Sequence, residues 1–370
     1  MSRPPGLAIR QEGVYAGADP CLQNSESPLE LSFLTTQKAL AMSESETNIA
    51  HQQLRQLRDF MDSRILGQQR LTSRMLVALL ADGHILVEGP PGLAKTRAVK
   101  TLASGIEGDF QRIQFTPDLL PADLTGTDVY RPQDSSFSFQ QGPLFHHVIV
   151  ADEINRAPAK VQSALLESME ERQITVGKNT YPLPGLYFVM ATQNPIEQEG
   201  TYPLPESQLD RFLLKVVIDY PKIDSEVQIM QRVRREAMQD QQVLAIPESL
   251  PVTQQTLFEV RRDILDTYVS EPVEQYIAQL VDASRNPERY SSDLADLIQY
   301  GASPRASLAF DRCSRALAWL DERDYVSPED VQQLAHEILR HRILLTYQAE
   351  ADGMSVDAVI DSLLLKVPVA

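Results

Sequence analysis

His84-Ile85-Leu86-Val87-Glu88-Gly89-Pro90-Pro91-Gly92-Leu93-Ala94-Lys95-Thr96 decides the fold. His84 to Val87 is a short apolar run and reads as a buried strand. The Gly/Pro loop opens into Thr96, Arg97, Ala98, Val99, Leu102 and Ala103, which have helical spacing. Strand, Gly-rich loop, Lys-Thr and helix is the layout of a triphosphate cradle, in which successive N–H groups and the helix dipole face the phosphates. Lys95 then reaches the β/γ-phosphates as a point charge and the Thr96 hydroxyl ligates Mg²⁺. The bland alternative, a turn beside a surface lysine, explains neither the strand before nor the helix after. Ala94 stands where the usual pattern has Gly, which costs little provided the backbone there does not need φ > 0.

Length and composition bound what surrounds this stretch. The 370 residues suggest two or three domains, and 43% hydrophobic with 23% charged residues is ordinary globular composition. A formal net charge of −17 argues against non-specific binding to nucleic acid or anionic membranes, without excluding a local basic groove. Cys21 and Cys313 lie far apart without metal-ligand spacing, which fits a reducing cytoplasm. No apolar run approaches a membrane span and no signal peptide is recognisable, so a soluble, cytoplasmic chain is expected.

Residues 1–45 lack periodicity and read as a disordered or loosely packed extension; Leu29, Leu31 and Phe33 alternate within it, and Met42 is a candidate true start. An amphipathic helix from about His51 and a turn at Ile65-Leu66-Gly67-Gln68 lead to a second helix ending near Gly83. Further strands are expected at Phe110–Phe115, Val148–Ala151, Leu186–Ala191 and Leu213–Ile218, with a helix around Val161–Met169. Hairpins are expected within 126–145 and around Val176-Gly177-Lys178-Asn179. Alternating strands and helices argue for a parallel α/β sheet. After Pro221 the strands give way to helices at about 224–239, 254–266, 272–285, 306–321, 328–342 and 355–366, which puts a domain boundary there. Leu308, Ala316, Trp319 and Leu320 read as lid core.

Four further elements carry chemistry. Val148-Ile149-Val150-Ala151-Asp152-Glu153 ends a buried strand with two acids, where α/β sheets bind ligands. Asp152 fits the carboxylate of a Mg²⁺ shell and Glu153 the base that directs the attacking water; two turn-forming acids are the alternative. Asn194, after the strand Phe188–Ala191, can position that water or simply form an Asn-Pro turn. Arg211 either pairs with Asp210 or reaches a neighbouring subunit as an arginine finger. Arg305, at the head of a helix, either faces a triphosphate from the lid side or is a solvated surface arginine. His146 and His147 are adjacent, point to opposite faces if on a strand, and lack zinc spacing.

These elements in this order resemble the ATPase core of AAA+ proteins, and more closely the MoxR family. The resemblance rests on Gly-Pro-Pro-Gly-Leu-Ala-Lys-Thr (89–96), Phe115–Gly126, Gly142–Phe145, Ala151–Pro158 and Gly301–Arg305, and covers about Glu46 to Val369. Ala94 is the usual form in that family. The resemblance implies a P-loop core with a five-stranded parallel sheet (46–222) followed by an all-α helical lid (223–370). It implies that Lys95 and Thr96 are Walker A, Asp152 and Glu153 Walker B, Asn194 sensor 1, Arg211 the arginine finger and Arg305 sensor 2. Gly89, Pro90, Pro91, Gly92, Leu93 and Ala94 would wrap the phosphates, while Ile65, Leu66 and Gly67 match the stretch packing against adenine. It further implies ATP and Mg²⁺, a homo-hexameric ring with two inserts (Asp123–Phe145 and Gln173–Tyr181) on its central face, chaperone-like remodelling of protein clients, and a von Willebrand factor A domain partner. The rival readings are a ring nucleic-acid motor, disfavoured by the acidic composition, and a nucleotide-gated scaffold without turnover.

Overall fold

The central strands of the sheet are apolar at nearly every position, and their alternation sends successive side chains into two different cores. In the order β2-β5-β8-β1-β9, the strands are β1 (Ile85–Glu88), β2 (Phe110–Gln114), β5 (Val148–Asp152), β8 (Phe188–Gln193) and β9 (Leu214–Val217). Every pairing is parallel. Ile85, Val87, Val148, Val150, Phe188 and Met190 enter one hydrophobic cluster, whereas Leu86, Ile149, Ala151, Val189 and Ala191 enter the other. That is the period-2 consequence of burial on both faces. The first cluster continues through the helices 48–64 and Gln69–Leu80 into the helices beyond residue 250, so sheet and lid share one core. Each fully buried Leu, Ile or Phe there contributes about 1.5–3 kcal/mol. His51 stacks on Trp319 with ring centroids 3.8 Å apart.

This computed structural model describes residues 48–369 apart from 134, 196–199, 239–245 and 248–249. The extension 1–45, with Cys21, the Leu29–Phe33 alternation and the Met42 start, lies outside the described residues.

Both expected hairpins form. β3 (Gly126–Arg131) pairs antiparallel with β4 (Ser136–Gln141), and β6 (Gln173–Val176) with β7 (Asn179–Pro182). Phe139 of β4 stacks on Tyr181 of β7, centroids 4.1 Å apart and 12° from parallel, which joins the two hairpins. Between them runs the helix Ala159–Glu171, separated by the short turn Ile154–Arg156 from the acids Asp152, which ends β5, and Glu153.

Beyond β9 the chain is mostly helical, with helices at Ile223–Met238, Gln254–Asp266, Glu271–Arg285, Pro304–Leu320, Pro328–Leu339 and Val356–Lys366. The helix at Pro328 starts as its residues dictate: Asp330 accepts from the Ser327 N–H at 2.8 Å, and Pro328 needs no partner for a missing N–H. The expectation of an all-α lid needs one addition, a short antiparallel ladder between Ile298–Tyr300 and Leu344–Leu345. A second correction concerns Leu308, which is 63% exposed, while Ala316 and Trp319 are buried as expected. Leu308 borders a charged cavity rather than the lid interior.

Candidate functional site

The loop after β1 turns sharply at two glycines. A Cβ on Gly89 would lie 2.6 Å from the Ile218 carbonyl oxygen, and Gly92 has φ +84°. The proviso on Ala94 fails, since it too sits in the left-handed region at φ 56°, ψ 23°, directly before the helix Lys95–Ser104. An L-residue there carries about 1–2 kcal/mol of strain, of the kind retained at functional sites. Lys95 is folded back over the loop, its Nζ donating to the carbonyl oxygens of Gly89 (2.7 Å) and Gln193 (3.3 Å).

The acids after β5 face this loop. Asp152 is 8% exposed; its Oδ1 accepts from Thr192 Oγ1 (2.6 Å), and its Oδ2 from Thr96 Oγ1 (3.3 Å) and Arg112 Nη2 (2.7 Å). Burial opposes its ionisation, but the bonds from Thr192, Arg112 and Thr96 and the Arg112 charge hold the carboxyl below the usual carboxylate range. Glu153 is a second left-handed residue, φ 57°, fixed by its N–H donating to Thr192 Oγ1 at 2.9 Å. Its Oε2 accepts from Gln114 Nε2 at 2.7 Å and lies 3.4 Å from Arg156 Nε.

Asn194, buried at the end of β8, joins Lys95, Thr96, Asp152 and Glu153 around a cavity of about 370 Å³. Gly92, Leu93 and Ala94 separate it from a smaller cavity lined by Ile65, Leu66, Pro221, Ile229 and Val233. Gly67 lies in the turn beside it, against Pro221 and Ser225. The smaller cavity is lined by Arg64, Arg97 and Arg232 as well, and this partly apolar cavity beside a cradle bearing Lys95 and Arg112 suits a nucleotide, base on one side and phosphates on the other. Thr96 and Asp152 offer hard oxygen donors 3.3 Å apart, and the Arg112 guanidinium on Asp152 Oδ2 marks that oxygen as one that calls for a cation. The donor set therefore fits Mg²⁺.

Arg211 and Arg305 lie elsewhere. Because the sheet is parallel, the loop after β1 is at its carboxyl edge, and the residues before β1 and β9 are at its amino edge, about 13 Å away for a four-residue strand. Both arginines line a cavity of about 430 Å³ at that amino edge, with Asp82, His84, Glu170 and Asp210. Arg211 does not pair with Asp210; its Nε lies 3.1 Å from Glu170 Oε2. Arg305 pairs with Glu170 as well, and lies 3.7 Å from Asp210 Oδ2. It does not face the cradle of its own chain from the lid. Asp210 is held by Arg342 (2.7 Å), a guanidinium 2% exposed that also donates to the Ile338 carbonyl oxygen at 2.6 Å.

The sequence reading missed Arg112, Gln114, Thr192 and Glu170. Arg112 and Gln114 had a signal: polar residues at i and i+2 share one face at the end of a strand, and β2 pairs with the acid-bearing β5, Gln114 opposite Asp152. Glu170 had a weaker one, an acid in the last turn of a helix. His146 and His147 contact the Pro143 carbonyl oxygen (2.9 Å) and the Asp109 N–H (3.1 Å).

The model of the ATPase family associated with various cellular activities (AAA) matches residues 84–214, and that of the AAA lid domain matches 291–363. The chain is 46% identical over 304 residues to Chaperone MoxR1 of Mycobacterium tuberculosis, which covers 82% of this chain and 78% of that protein. Protein MoxR of Paracoccus denitrificans is 30% identical over 352 residues, 88% of this chain and 99% of that one. A crystal structure of a candidate ATPase from Cytophaga hutchinsonii is similar with TM-score 0.81 and 44% identity, covering 90% of this chain and 99% of that chain.

Proposed function

The chain belongs to the MoxR family of AAA+ ATPases, and on that premise we propose that it hydrolyses Mg-ATP at sites shared between neighbouring copies in a ring, and uses the cycle to remodel partner protein complexes. One observation carries the reading. The cradle with Asp152, Glu153 and Asn194 occupies the carboxyl edge of the sheet, while Arg211 and Arg305 are paired on Glu170 at the opposite edge. A chain cannot bring both edges to one phosphate, so both arginines serve the ATP of the next copy. This revises the expected role of Arg305, which joins Arg211 in acting across the interface.

Residues 46–222 form the nucleotide-binding half in this proposal and 223–370 the lid. Ile65, Leu66 and Gly67 receive the adenine, and the N–H groups of the loop Gly89–Ala94 with Lys95 receive the phosphates. Thr96 and Asp152 hold Mg²⁺, which when bound neutralises charge on the phosphate oxygens. Glu153, once it leaves Gln114, accepts the proton of the attacking water, and the Asn194 amide orients that water. Arg211 and Arg305 of the neighbour meet the charge that builds on the γ-phosphoryl oxygens. A homo-hexamer, a protein client, a von Willebrand factor A domain partner and a cytoplasmic setting complete the proposal. They are supported by the family, and no helix among the described residues is long and apolar enough to cross a membrane. The test is steady-state ATPase with Glu153→Gln, expected to lower turnover about 10²–10⁴-fold with ATP still bound. Unchanged turnover would overturn the assignment.

A further inference from the structure

One carboxylate serves both arginines. Arg211 Nε approaches Glu170 Oε2 at 3.1 Å, and Arg305 Nη2 donates to Glu170 Oε1. Arg211 stands just before β9 in the sheet half, and Arg305 in the first turn of Pro304–Leu320 in the lid half, so Glu170 ties the lid to the sheet. Asp210 is the weaker partner: Arg305 lies 3.7 Å from its Oδ2, while Arg342 holds its Oδ1 at 2.7 Å and Ser303 its Oδ2 at 2.8 Å. Glu170 also sits where helix formation disfavours it, in the last turn of Ala159–Glu171, at the negative end of the dipole and with no basic residue in that turn. All three side chains are between about a third and a half exposed and border the 430 Å³ cavity, so an incoming anion reaches them.

We propose that Glu170 is a positioning residue, the resting partner of Arg211 and Arg305, which holds both guanidinium groups until the γ-phosphate of a neighbour's ATP displaces it, and that the displacement removes one tie between the first turn of Pro304–Leu320 and the sheet. The inference rests on the reading that both arginines act on the next copy. A guanidinium donates to carboxylate and to phosphate with the same fork of N–H groups, so the exchange keeps its hydrogen bonds while a more highly charged acceptor takes over. Nucleotide in one copy thereby acts on the first turn of that lid helix in the next.

The test measures assembly rather than turnover. The full chain carrying Glu153→Gln, with ATP, is followed by sedimentation across protein concentration, with and without Glu170→Gln. Removal of a competing carboxylate from two part-exposed ion pairs is expected to lower the half-assembly concentration by roughly 3–10-fold. Without nucleotide, hydrogen exchange in the first turn of Pro304–Leu320 is expected to rise. A residue with a packing role alone gives weaker or unchanged assembly, and either result overturns the proposal. If Glu170→Gln does not fold, Glu170→Asp, which keeps the charge on a shorter arm, is expected to shift the midpoint by a smaller factor, and no shift overturns it. An Arg211→Ala chain with full turnover overturns the underlying trans reading; an inactive Arg211→Ala with an unshifted Glu170→Gln overturns the role of Glu170 alone.

Discussion

At the carboxyl edge of the sheet, Ala94 (φ 56°) and Glu153 (φ 57°) hold a loop and a carboxylate in left-handed backbone. At the amino edge Asp82 (φ 51°) and Arg172 (φ 53°) are left-handed as well, and what sets that edge apart is its charge: Arg172, Arg211, Arg305, Arg312 and Arg342 surround Asp82, Glu170 and Asp210. The first edge uses its left-handed residues to present a loop and acids around a cavity. The second is shaped by charge and has more cations than anions. Under the proposed function the difference gives each edge one half of a reaction, the surplus of cations meeting an anion from the next copy.

The largest expected effect breaks or keeps that division. Arg211→Ala is expected to lower turnover by about 10³–10⁵ while ATP binding persists. Mixing it with Lys95→Ala chains, which lack the cradle lysine but keep their arginines, is expected to restore activity. No recovery at any ratio would mean the two halves belong to one chain. Next in size is Arg342→Met, which leaves Asp210 without its buried partner and several carbonyl groups without a donor. A loss of about 3–5 kcal/mol by urea denaturation is expected; a loss under 1 kcal/mol would remove charge as what organises this edge.

Acid separates the edges further. His84, at the amino end of β1, is held neutral by burial and by Arg172, its pKa lowered to about 3. His341 is lowered well below its usual value by burial and by Arg342. Unfolded imidazole protonates near pH 6.5, so the unfolded chain binds more protons and stability falls as pH drops from about 6.5 toward 3. His84 alone accounts for about 2 kcal/mol by pH 5. Between pH 6.5 and 5 Asp152 is ionised in both states and adds no slope; below about pH 5 its lowered pKa adds to the same fall. Denaturation at pH 6.5 and 5 should therefore flatten in His84→Gln. The smallest effect is at the loop: Ala94→Gly removes the left-handed penalty, with an expected gain of about 1 kcal/mol in stability. A loss there would show that Ala94 is not strained.

The loop, the strands and the acids were legible because each is written in contiguous residues, an apolar run ended by Gly, Lys-Thr or Asp-Glu. The amino edge was not, because its pairs join residues far apart in the chain. Arg211 reaches Glu170 and Arg305 does too, while Asp210, beside Arg211, belongs to Arg342. A charged residue read alone carries no sign of which distant partner folding brings to it. Leu308 failed for a related reason: helical spacing marks an apolar face, and a residue bordering a cavity can share that periodicity. The left-handed Ala94 shows the limit of propensity, since a cradle can hold an alanine in a conformation it would not choose.

The helix Ala159–Glu171 has thirteen residues and so is about 20 Å long. It begins six residues after Glu153 and carries Glu170 in its last turn, which makes it a ruler between two chemically distinct stations. Deleting one residue from its middle would shorten it by about 1.5 Å and turn Glu170 by about 100° relative to its first turn. The spacing and phase of successive active sites would then be written in the residue count of one helix, and an assembly could be mistimed by a single codon without touching any residue that meets ATP.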